Sequence, residues 1–373
     1  MPFSHPQRRI LLAVTGLSPQ VVTETVYALA RKEPSAVPQE IHVITTSEGA
    51  ERARLALLSS SPGWFHRLCT DLDLHDIRFG IENIHVLCGA DDSPLSDIRS
   101  PEDNERAADF ITEKVRELTS DPNTALHVSI AGGRKTMGYY AGYALSLFGR
   151  PQDRLSHVLV SEPFESTWEF FYPTPYSRVI ETRDQKLADT ANATVTLAEI
   201  PFVSLRDGLP QRLVTGNARF TQTVDAARRA LTPPELVVDL DRKCVLASGE
   251  RVPMAPADLA FYSLFARVRQ QERGPLLRND AELAAPFLEE YVRIAGDMSG
   301  DKERAESALR RGMDEDYFDQ RKARTNGVLD AHLGPQLARI YKIQSDGQRR
   351  GRFSLRLDPE AIRFGDAGDD ESN

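Results

Sequence analysis

The stretch SIAGGRKTMG (residues 129–138) follows the apolar segment ALHVS (125–129) and precedes YYAGYALSLFG (139–149), which has the character of a helix. Gly132 and Gly133 allow another backbone to approach closely, because neither carries a Cβ. The start of a helix presents free N–H groups, and Lys135 adds a cation beside them. The stretch therefore predicts a turn from a strand into a helix that binds an anion, with phosphate as the expected group.

Apolar, β-branched segments like the one before this turn recur through the first half of the chain. They predict strands at 9–15, 40–46, 83–88, 125–130 and 156–161. Helical spacing between them predicts helices at 18–32, 50–59, 102–119 and 134–149, the third with a Ser100 cap and Pro101 in its first turn. This alternation predicts an α/β fold, Rossmann-like, with helices on both faces of a mostly parallel sheet.

Ligands of such sheets bind outside the carboxyl ends of the strands, where loops lead into helices. Two of these loops carry informative residues, TGLSPQ (15–20) and AGGRKTMG (131–138). In the first loop, Gly16 permits a tight turn and Pro19 suits the first helical position. Ser18 is either a helix cap or a hydroxyl with a function, and the loop alone leaves both interpretations open.

Neither loop carries a standard nucleotide-binding signature. A P-loop has a glycine directly before its lysine and another five residues earlier, whereas Arg134 and Ser129 occupy those places here. A dinucleotide-binding fold carries G-x-G-x-x-G after its first strand, and TGLSPQ lacks this pattern. ATP and NAD are therefore not expected as ligands.

The composition excludes further classes. Cys69, Cys88 and Cys244 show no CxxC spacing, and the eight histidines form no HExxH-type cluster, so we predict no disulfide framework, no metal and no cofactor. No apolar run reaches the roughly 18–20 residues that cross a bilayer, which predicts a cytoplasmic protein with no membrane partner. The net charge of −9 argues against indiscriminate coating of nucleic acid.

The first-strand loop TGLSP and the fourth-strand loop GGRKTM together resemble the CRISPR-associated Rossmann fold (CARF) proteins. Proteins of this family bind cyclic oligoadenylates, and the resemblance is to the branch of ring nucleases that cut cyclic tetra-adenylate. It covers about residues 8–175. It implies a homodimer whose ligand loops face each other across a twofold axis, so that a symmetric ring meets matching loops.

The resemblance also implies roles for particular residues. Ser18 and Lys135 match the catalytic serine and lysine of the ring nucleases. Contacts to phosphate and adenine are implied, in several cases by loop position alone, for Thr15, Gly16, Gln20, Thr46, Gly132, Gly133, Arg134, Thr136 and Met137.

Cleavage of such a ring is chemically reasonable without a metal, because RNA supplies its own nucleophile in the ribose 2′-hydroxyl. Lys135 is expected to neutralise the charge that develops at phosphorus, and Ser18 to orient the 2′-hydroxyl or a phosphate oxygen. The products would be linear fragments ending in a 2′,3′-cyclic phosphate, and type III CRISPR signalling would end. The alternative is that the same loops sense the ring without cutting it.

The middle of the chain is less regular. Residues 162–177 (EPFESTWEFFYPTPYS) are predicted to form an aromatic strand that closes the sheet. Trp168, Phe170 and Phe171 are predicted to lie in the core, and a base-stacking platform is the alternative interpretation of these rings. Residues 178–235 are predicted to connect two domains as a lid or dimer arm, with a helix in FTQTVDAARRALTPP (220–234).

From residue 236 onward the pattern becomes that of a mainly helical domain. A hairpin is predicted at 236–254, helices at about 256–271, 280–294, 302–311 and 315–333, and a second hairpin at 338–357 with its tip at Asp346 and Gly347. Helices followed by a basic hairpin resemble a winged helix-turn-helix domain.

Nine lysines and arginines against two aspartates lie between Arg321 and Arg356. In a winged helix these positions would meet DNA, and the candidates are Arg321, Lys322, Arg324, Arg349, Arg350 and Arg352. The alternative to the nuclease is therefore a winged-helix transcriptional regulator that binds DNA in response to cyclic oligoadenylate and does not cut the ring. A solvated face or a dimer contact is the other interpretation of the charge. A ribonuclease effector is disfavoured, because His332 is the only histidine of the C-terminal half and no R-x₄₋₆-H motif can be placed.

The predicted domain organisation follows from these patterns. We expect a ligand-binding domain at 1–177, a connecting region at 178–235, a winged-helix domain at 236–364 and an acidic, disordered tail at 365–373.

Overall fold

The computed structural model describes residues 8–209, 213–214, 216, 219–229, 233–296, 305–307, 309–346 and 351–365. The chain divides into two compact units. The first comprises the residues up to 206 together with 217–220, and the second comprises 207–216 together with the residues from 221 onward. Residues 178–206, predicted as part of a connecting region, thus belong to the first unit.

The first unit is built on a six-stranded sheet of order β3-β2-β1-β4-β5-β8. The first five strands run parallel and β8 runs antiparallel to β5. Every residue from Ile10 to Val14 is buried, so both faces of the central strand are covered, as the continuous apolar run predicts. The strands are β1 (Arg8–Val14), β2 (Glu40–Thr45), β3 (Ile84–Val86), β4 (Thr124–Ser129), β5 (Arg154–Val160) and β8 (Val195–Glu199).

Five helices of the first unit pack on this sheet. Residues of α1 and α3 form one core with Leu11, Ala13 and Val43, whereas α4 and α5 contact each other and α5 contacts β1 and β4. The helices are α1 (Gln20–Lys32), α2 (Ser47–Ala53, continued by a π-helical turn at Arg54–Leu58), α3 (Trp64–Asp71), α4 (Pro101–Leu118) and α5 (Lys135–Phe148). The predicted Rossmann-like fold class is confirmed.

The strand predicted at 162–177 is wrong. Residues 161–172 form successive turns instead, with Phe164 donating its N–H to Ser161 and Phe170 to Thr167. These turns bury Phe170 and Phe171 but leave Trp168 59% exposed. Proline is disfavoured inside a sheet, and the sequence has three in this stretch. The sheet is closed by β8 instead, and the intervening β6 (Val179–Glu181) and β7 (Leu187–Asp189) form a separate hairpin.

The second unit contains two small sheets. A four-stranded sheet has the order β11-β10-β9-β15 and a three-stranded sheet the order β12-β14-β13. The predicted hairpin at 236–254 is present, extended to three strands with Ser248 and Gly249 at the second turn. The strands are β9 (Leu236–Asp239), β10 (Cys244–Ala247), β11 (Glu250–Pro253), β12 (Leu276–Leu277), β13 (Gln344–Ser345), β14 (Arg352–Ser354) and β15 (Ile362–Phe364).

Three helices, at 256–270, 284–295 and 315–341, share one apolar core with these sheets. The long helix α9 is interrupted at Gly334 (φ 76°), directly before Pro335, which agrees with the predicted end at 333. The helices are α6 (Phe220–Arg229), α7 (Pro256–Gln270), α8 (Ala284–Ala295) and α9 (Glu315–Tyr341). The predicted helix at 302–311, the hairpin tip at 346–347 and the tail at 365–373 fall wholly or partly outside the described residues.

The start of α4 provides a test of the predicted cap. The Ser100 hydroxyl accepts a hydrogen bond from the Asp103 N–H (3.0 Å), and the Asp103 carboxylate accepts one from the Ser100 N–H (3.1 Å). Ser100→Ala should lower the free energy of unfolding of the first unit by about 1 kcal/mol, because the Asp103 N–H loses its acceptor. Urea unfolding followed by tryptophan fluorescence measures this, since Trp64 and Trp168 both lie in this unit. Ser96→Ala, at an exposed serine of the preceding loop, is the control. Equal unfolding midpoints for the two variants would refute the cap.

Candidate functional site

The two glycine-containing loops lie side by side, because β1 and β4 are neighbours at the centre of the sheet. A Cβ added to Gly16 would lie 3.1 Å from the Gly133 Cα, and one added to Gly132 would lie 3.2 Å from the Thr15 Cα. Gly133 itself has a φ of 82°, a left-handed conformation that favours glycine. The loops therefore meet backbone to backbone, and the absence of side chains is what permits the contact.

Ser18 is exposed beside this contact. The position that caps α1 is Pro19, and no side chain caps that helix. The Ser18 hydroxyl makes no hydrogen bond to any residue within the described ranges, so the helix-cap interpretation does not describe it. The first N–H groups of α1 lack intrahelical acceptors, as at any helix start. The hydroxyl is thus available at the positive end of a helix dipole.

Lys135 is the first residue of α5 and is exposed. Arg134 occupies the capping position, but its side chain does not bond the helix backbone. Lys135 makes no ion pair with any residue that the structure describes. Its ammonium group and the free N–H groups of the first turn carry positive charge at the same place, which is the arrangement that binds phosphate.

Arg134 is engaged by an acidic residue that the sequence did not single out. Its guanidinium donates two hydrogen bonds to the Asp97 carboxylate, one of them at 2.9 Å from Nε to Oδ1. This bidentate pairing lowers the pKa of Asp97 and raises that of Arg134. The two adjacent cations of the loop thus differ, because Arg134 is paired with a carboxylate and Lys135 has no ion-pair partner among the described residues.

Some of the remaining residues that were predicted to contact the ligand are exposed, and others are buried. Thr136 is exposed beside Lys135, whereas Met137 is buried beneath Gly133. Thr46 is also buried, and its hydroxyl caps α2 by accepting from the Gly49 N–H at 3.3 Å. Thr15 is buried, and its hydroxyl oxygen has no partner among the described residues. Thr46 and Met137 therefore shape the loops from below rather than line an open surface.

Gln20 links the first loop to the turns after β5. Its amide Nε2 donates to the Trp168 carbonyl oxygen at 2.9 Å, and its buried Oε1 has no partner in the described part of the chain. The Trp168 ring is contacted by the Arg52 guanidinium, 4.3 Å from the ring centroid. The sequence pattern did not indicate Arg52, and its prediction of Trp168 as a core residue is wrong, because the side chain is largely exposed. The one signal for Trp168 was its polar neighbourhood, Ser-Thr-Trp-Glu, within a proline-flanked segment.

Glu24 is a buried carboxyl group on α1, one helical turn after Gln20. Burial raises its pKa to about 8, because desolvation disfavours the charged form. Glu24 is thus mostly protonated at neutral pH and adds little negative charge near the loops.

Within the described ranges, no group of three or more histidine, cysteine, aspartate or glutamate side chains could hold a metal ion. The part of the chain that the structure describes likewise contains no helix of the length and apolarity needed to cross a membrane.

Two of the predicted DNA-binding residues are held within the second unit. The Arg321 side chain is 15% exposed and pairs with Asp258 at 2.8 Å. Lys322 pairs with Asp319 at 2.9 Å and lies over the Phe353 ring. Arg324 is exposed and Arg352 half-buried, and Arg349 and Arg350 lie outside the described residues.

The fold and the loops define a Rossmann-like α/β domain with two adjoining glycine-containing loops and two helix N-termini at the carboxyl edge of its sheet. The chain matches the model of the CRISPR-associated protein NE0113 family over residues 18–233, more than half of its length, and it belongs to that family. No curated protein matches the sequence.

The chain is also similar to a solved structure, Enterococcus italicus Csm6 bound to cyclic hexa-2′-fluoro-hexa-dAMP, with 10% identity and a TM-score of 0.29. The match covers 87% of this chain and 57% of that one. A likeness at this level bears on neither ligand nor activity.

Glu24 yields a prediction about pH and stability. Its folded pKa lies above its unfolded value, so the folded state binds more protons between about pH 4.5 and 8 and stability falls as the pH rises through that range. Glu24→Gln removes this dependence. The free energy of unfolding of the variant relative to wild type should rise by about 2–4 kcal/mol from pH 5 to pH 8. Urea unfolding at both pH values measures it, with the exposed Glu48→Gln as control. Parallel pH profiles for wild type and Glu24→Gln would contradict the assignment.

Proposed function

We propose that this CRISPR-associated protein is a CARF-type protein that binds a cyclic oligoadenylate at the paired loops and cuts it without a metal. The observation that carries the proposal is the contact of Gly16 with Gly133, which sets an exposed Ser18 and an exposed Lys135 on adjoining loops. Both groups stand at helix N-termini, where the phosphates of a cyclic nucleotide ring would be stabilised. Membership of a CRISPR-associated family supports this ligand over other phosphates.

The proposed reaction is attack of a ribose 2′-oxygen on the adjacent phosphorus. A bond forms between the 2′-oxygen and phosphorus, and the bond from phosphorus to the 5′-oxygen breaks. The 2′-proton passes to water, and water returns a proton to the 5′-oxygen. Lys135 stabilises the charge on the phosphoryl oxygens, and Ser18 orients the 2′-hydroxyl. The products are linear, with a 2′,3′-cyclic phosphate.

A homodimer is part of the proposal, because a symmetric ring requires matching contacts on opposite sides. Four adenylates is the favoured ring size, on the basis of the resemblance of TGLSP and GGRKTM to ring nucleases. The alternative to this proposal is a sensor that binds the ring and leaves it intact.

Lys135→Ala should lower the single-turnover cleavage rate of labelled cyclic tetra-adenylate by about 10²- to 10³-fold, since it removes a positioned cation from the reacting phosphate. Products are separated by chromatography, with and without a chelator, and rings of three and six adenylates are compared. Lys186→Ala, at an exposed lysine of the β6–β7 hairpin, is the control and should cut like wild type.

An intact ring after prolonged incubation with stoichiometric wild-type protein would eliminate cleavage while leaving binding open. Loss of activity in chelator would eliminate the metal-independent mechanism. Unchanged cleavage by Lys135→Ala would remove the lysine from the reaction.

A second candidate function is DNA binding by the C-terminal unit. The observation in its favour is the three-stranded sheet, in which the β13–β14 hairpin pairs with β12 next to α9, as a winged helix requires. Of the predicted DNA-binding residues on α9, Arg324 is the exposed one and would contact DNA, because Arg321 and Lys322 are paired with aspartates.

Arg324→Ala should weaken DNA binding at low salt and lower the dependence of affinity on salt, because one phosphate contact is lost. Gel shifts with DNA from the protein's own promoter region measure the effect. Arg321→Ala, which removes a paired arginine, tests whether the loss is specific to the exposed position. An absence of wild-type binding at low salt would reject this function without affecting the ring-nuclease proposal.

A further inference from the structure

Trp168 is an aromatic residue of the first unit that does not occupy the core position predicted for it. It is 59% exposed, although Phe170 and Phe171 on the same segment are buried. A single exposed apolar side chain is ordinary on a protein surface. Trp168 differs because its backbone and its ring are both held by other elements.

The elements that hold Trp168 are those that build the candidate site. Gln20, which donates to the Trp168 carbonyl oxygen at 2.9 Å, is the first residue of α1 and lies two residues after Ser18. Arg52, which lies over the ring, belongs to α2, the helix that Thr46 caps at the carboxyl end of β2. Trp168 therefore stands at the edge of the sheet where Ser18 and Lys135 stand.

The two faces of the Trp168 ring differ. Arg52 covers one of them, with its guanidinium carbon 4.3 Å from the ring centroid. No aromatic ring among the described residues stacks on the indole. Arg52 makes no ion pair in the described part of the chain, since the neighbouring Glu51 is bound by Arg54. The indole is thus more than half exposed, has no aromatic stacking partner among the described residues, and is contacted by a guanidinium that makes no ion pair among them.

We propose that Trp168 is a stacking platform for a purine base of the bound ring, and that Arg52 and Gln20 are its positioning residues. The inference rests on the proposed function and adds a base-binding position to the phosphate position at Lys135. A flat, cation-supported indole suits a nucleobase, because every base has a π-face that stacks on an aromatic ring. A ribose or a bare phosphate has no such face.

The proposal predicts that Trp168 affects binding of the ring and that Lys135 affects its cleavage. A platform that holds a base away from the reacting phosphorus contributes to affinity. Its removal should therefore raise the Kd while the cleavage rate at saturating ring stays close to that of wild type. Lys135→Ala should show the opposite pattern.

The test compares Trp168→Leu and Trp168→Phe, with the Kd for cyclic tetra-adenylate measured by calorimetry. Trp168→Leu should weaken binding about 5- to 150-fold, and Trp168→Phe should retain most of the affinity because it keeps a ring. Arg52→Gln should weaken binding less than Trp168→Leu. Arg54→Gln on the same helix and Val203→Ala, at an exposed valine that follows β8 at the opposite edge, are matched controls expected to bind like wild type.

A second measurement tests stacking of a base on Trp168 without the cyclic oligoadenylate. Adenosine monophosphate should quench the fluorescence of Trp168, and ribose 5-phosphate, which lacks the base, should not. Trp64 is buried against Phe171 and is shielded from a stacking ligand. The quenching should disappear in Trp168→Leu.

The outcomes are distinguishable. If wild type binds the ring and Trp168→Leu binds it with the same Kd, the platform is wrong and the proposed function stands. If wild type binds no ring, the proposed function fails, and the platform fails with it when adenosine monophosphate gives no quenching. A change in the sedimentation of the free protein on Trp168→Leu, with an unchanged Kd, would assign the indole to a contact between copies of the chain and would overturn the platform.

Discussion

The contact between two loop backbones, at Gly16 and Gly133, is the constraint on which the candidate site depends. Parallel pairing of β1 with β4 brings the two loops to adjacent positions, but a side chain at either glycine would force them apart. Because the backbones touch, the N-termini of α1 and α5 open beside each other and their dipoles add at one place. The position of the candidate site is therefore set by the backbone, through the strand order and the glycine contact. The side chains of Ser18 and Lys135 add a hydroxyl and an ammonium group at that position.

Several polar and charged groups near the two loops are already engaged by other residues or are kept neutral. Arg134 is held by Asp97, Thr46 is used as a helix cap, and Met137 supports the loop from below. Glu24, the acidic group on α1 nearest the loops in sequence, is kept largely neutral by burial. The exposed groups without a partner among the described residues include the Ser18 hydroxyl and the Lys135 ammonium group, which are the two groups that the proposed cleavage uses.

The sequence predicts the parallel strands well, because strands buried on both faces are continuous apolar runs and end at recognisable turns. Prediction fails where tertiary contacts decide. The aromatic run around Trp168 has the composition of a strand, yet its prolines divert it into turns, and the modest segment at Val195–Glu199 closes the sheet instead. Asp97 lies 37 residues from Arg134, and no local pattern announces that pairing. The sequence indicated the loops of the candidate site but not their partners Asp97 and Arg52, and it placed Trp168 in the core with a stacking role only as the alternative.

The pairing of Arg134 with Asp97 has a further consequence for selectivity. Asp97 is tethered to the same unit, so it competes for the guanidinium at an effective concentration on the order of millimolar or more. A small monovalent anion gains too little from one arginine to displace a bidentate carboxylate. Under the proposed function, a ring with several phosphates at fixed spacing would bind Lys135 and the helix N-termini first and would then exchange with the carboxylate. Asp97 would in that case be an intramolecular competitor that a multivalent anion displaces more readily than a small monovalent one.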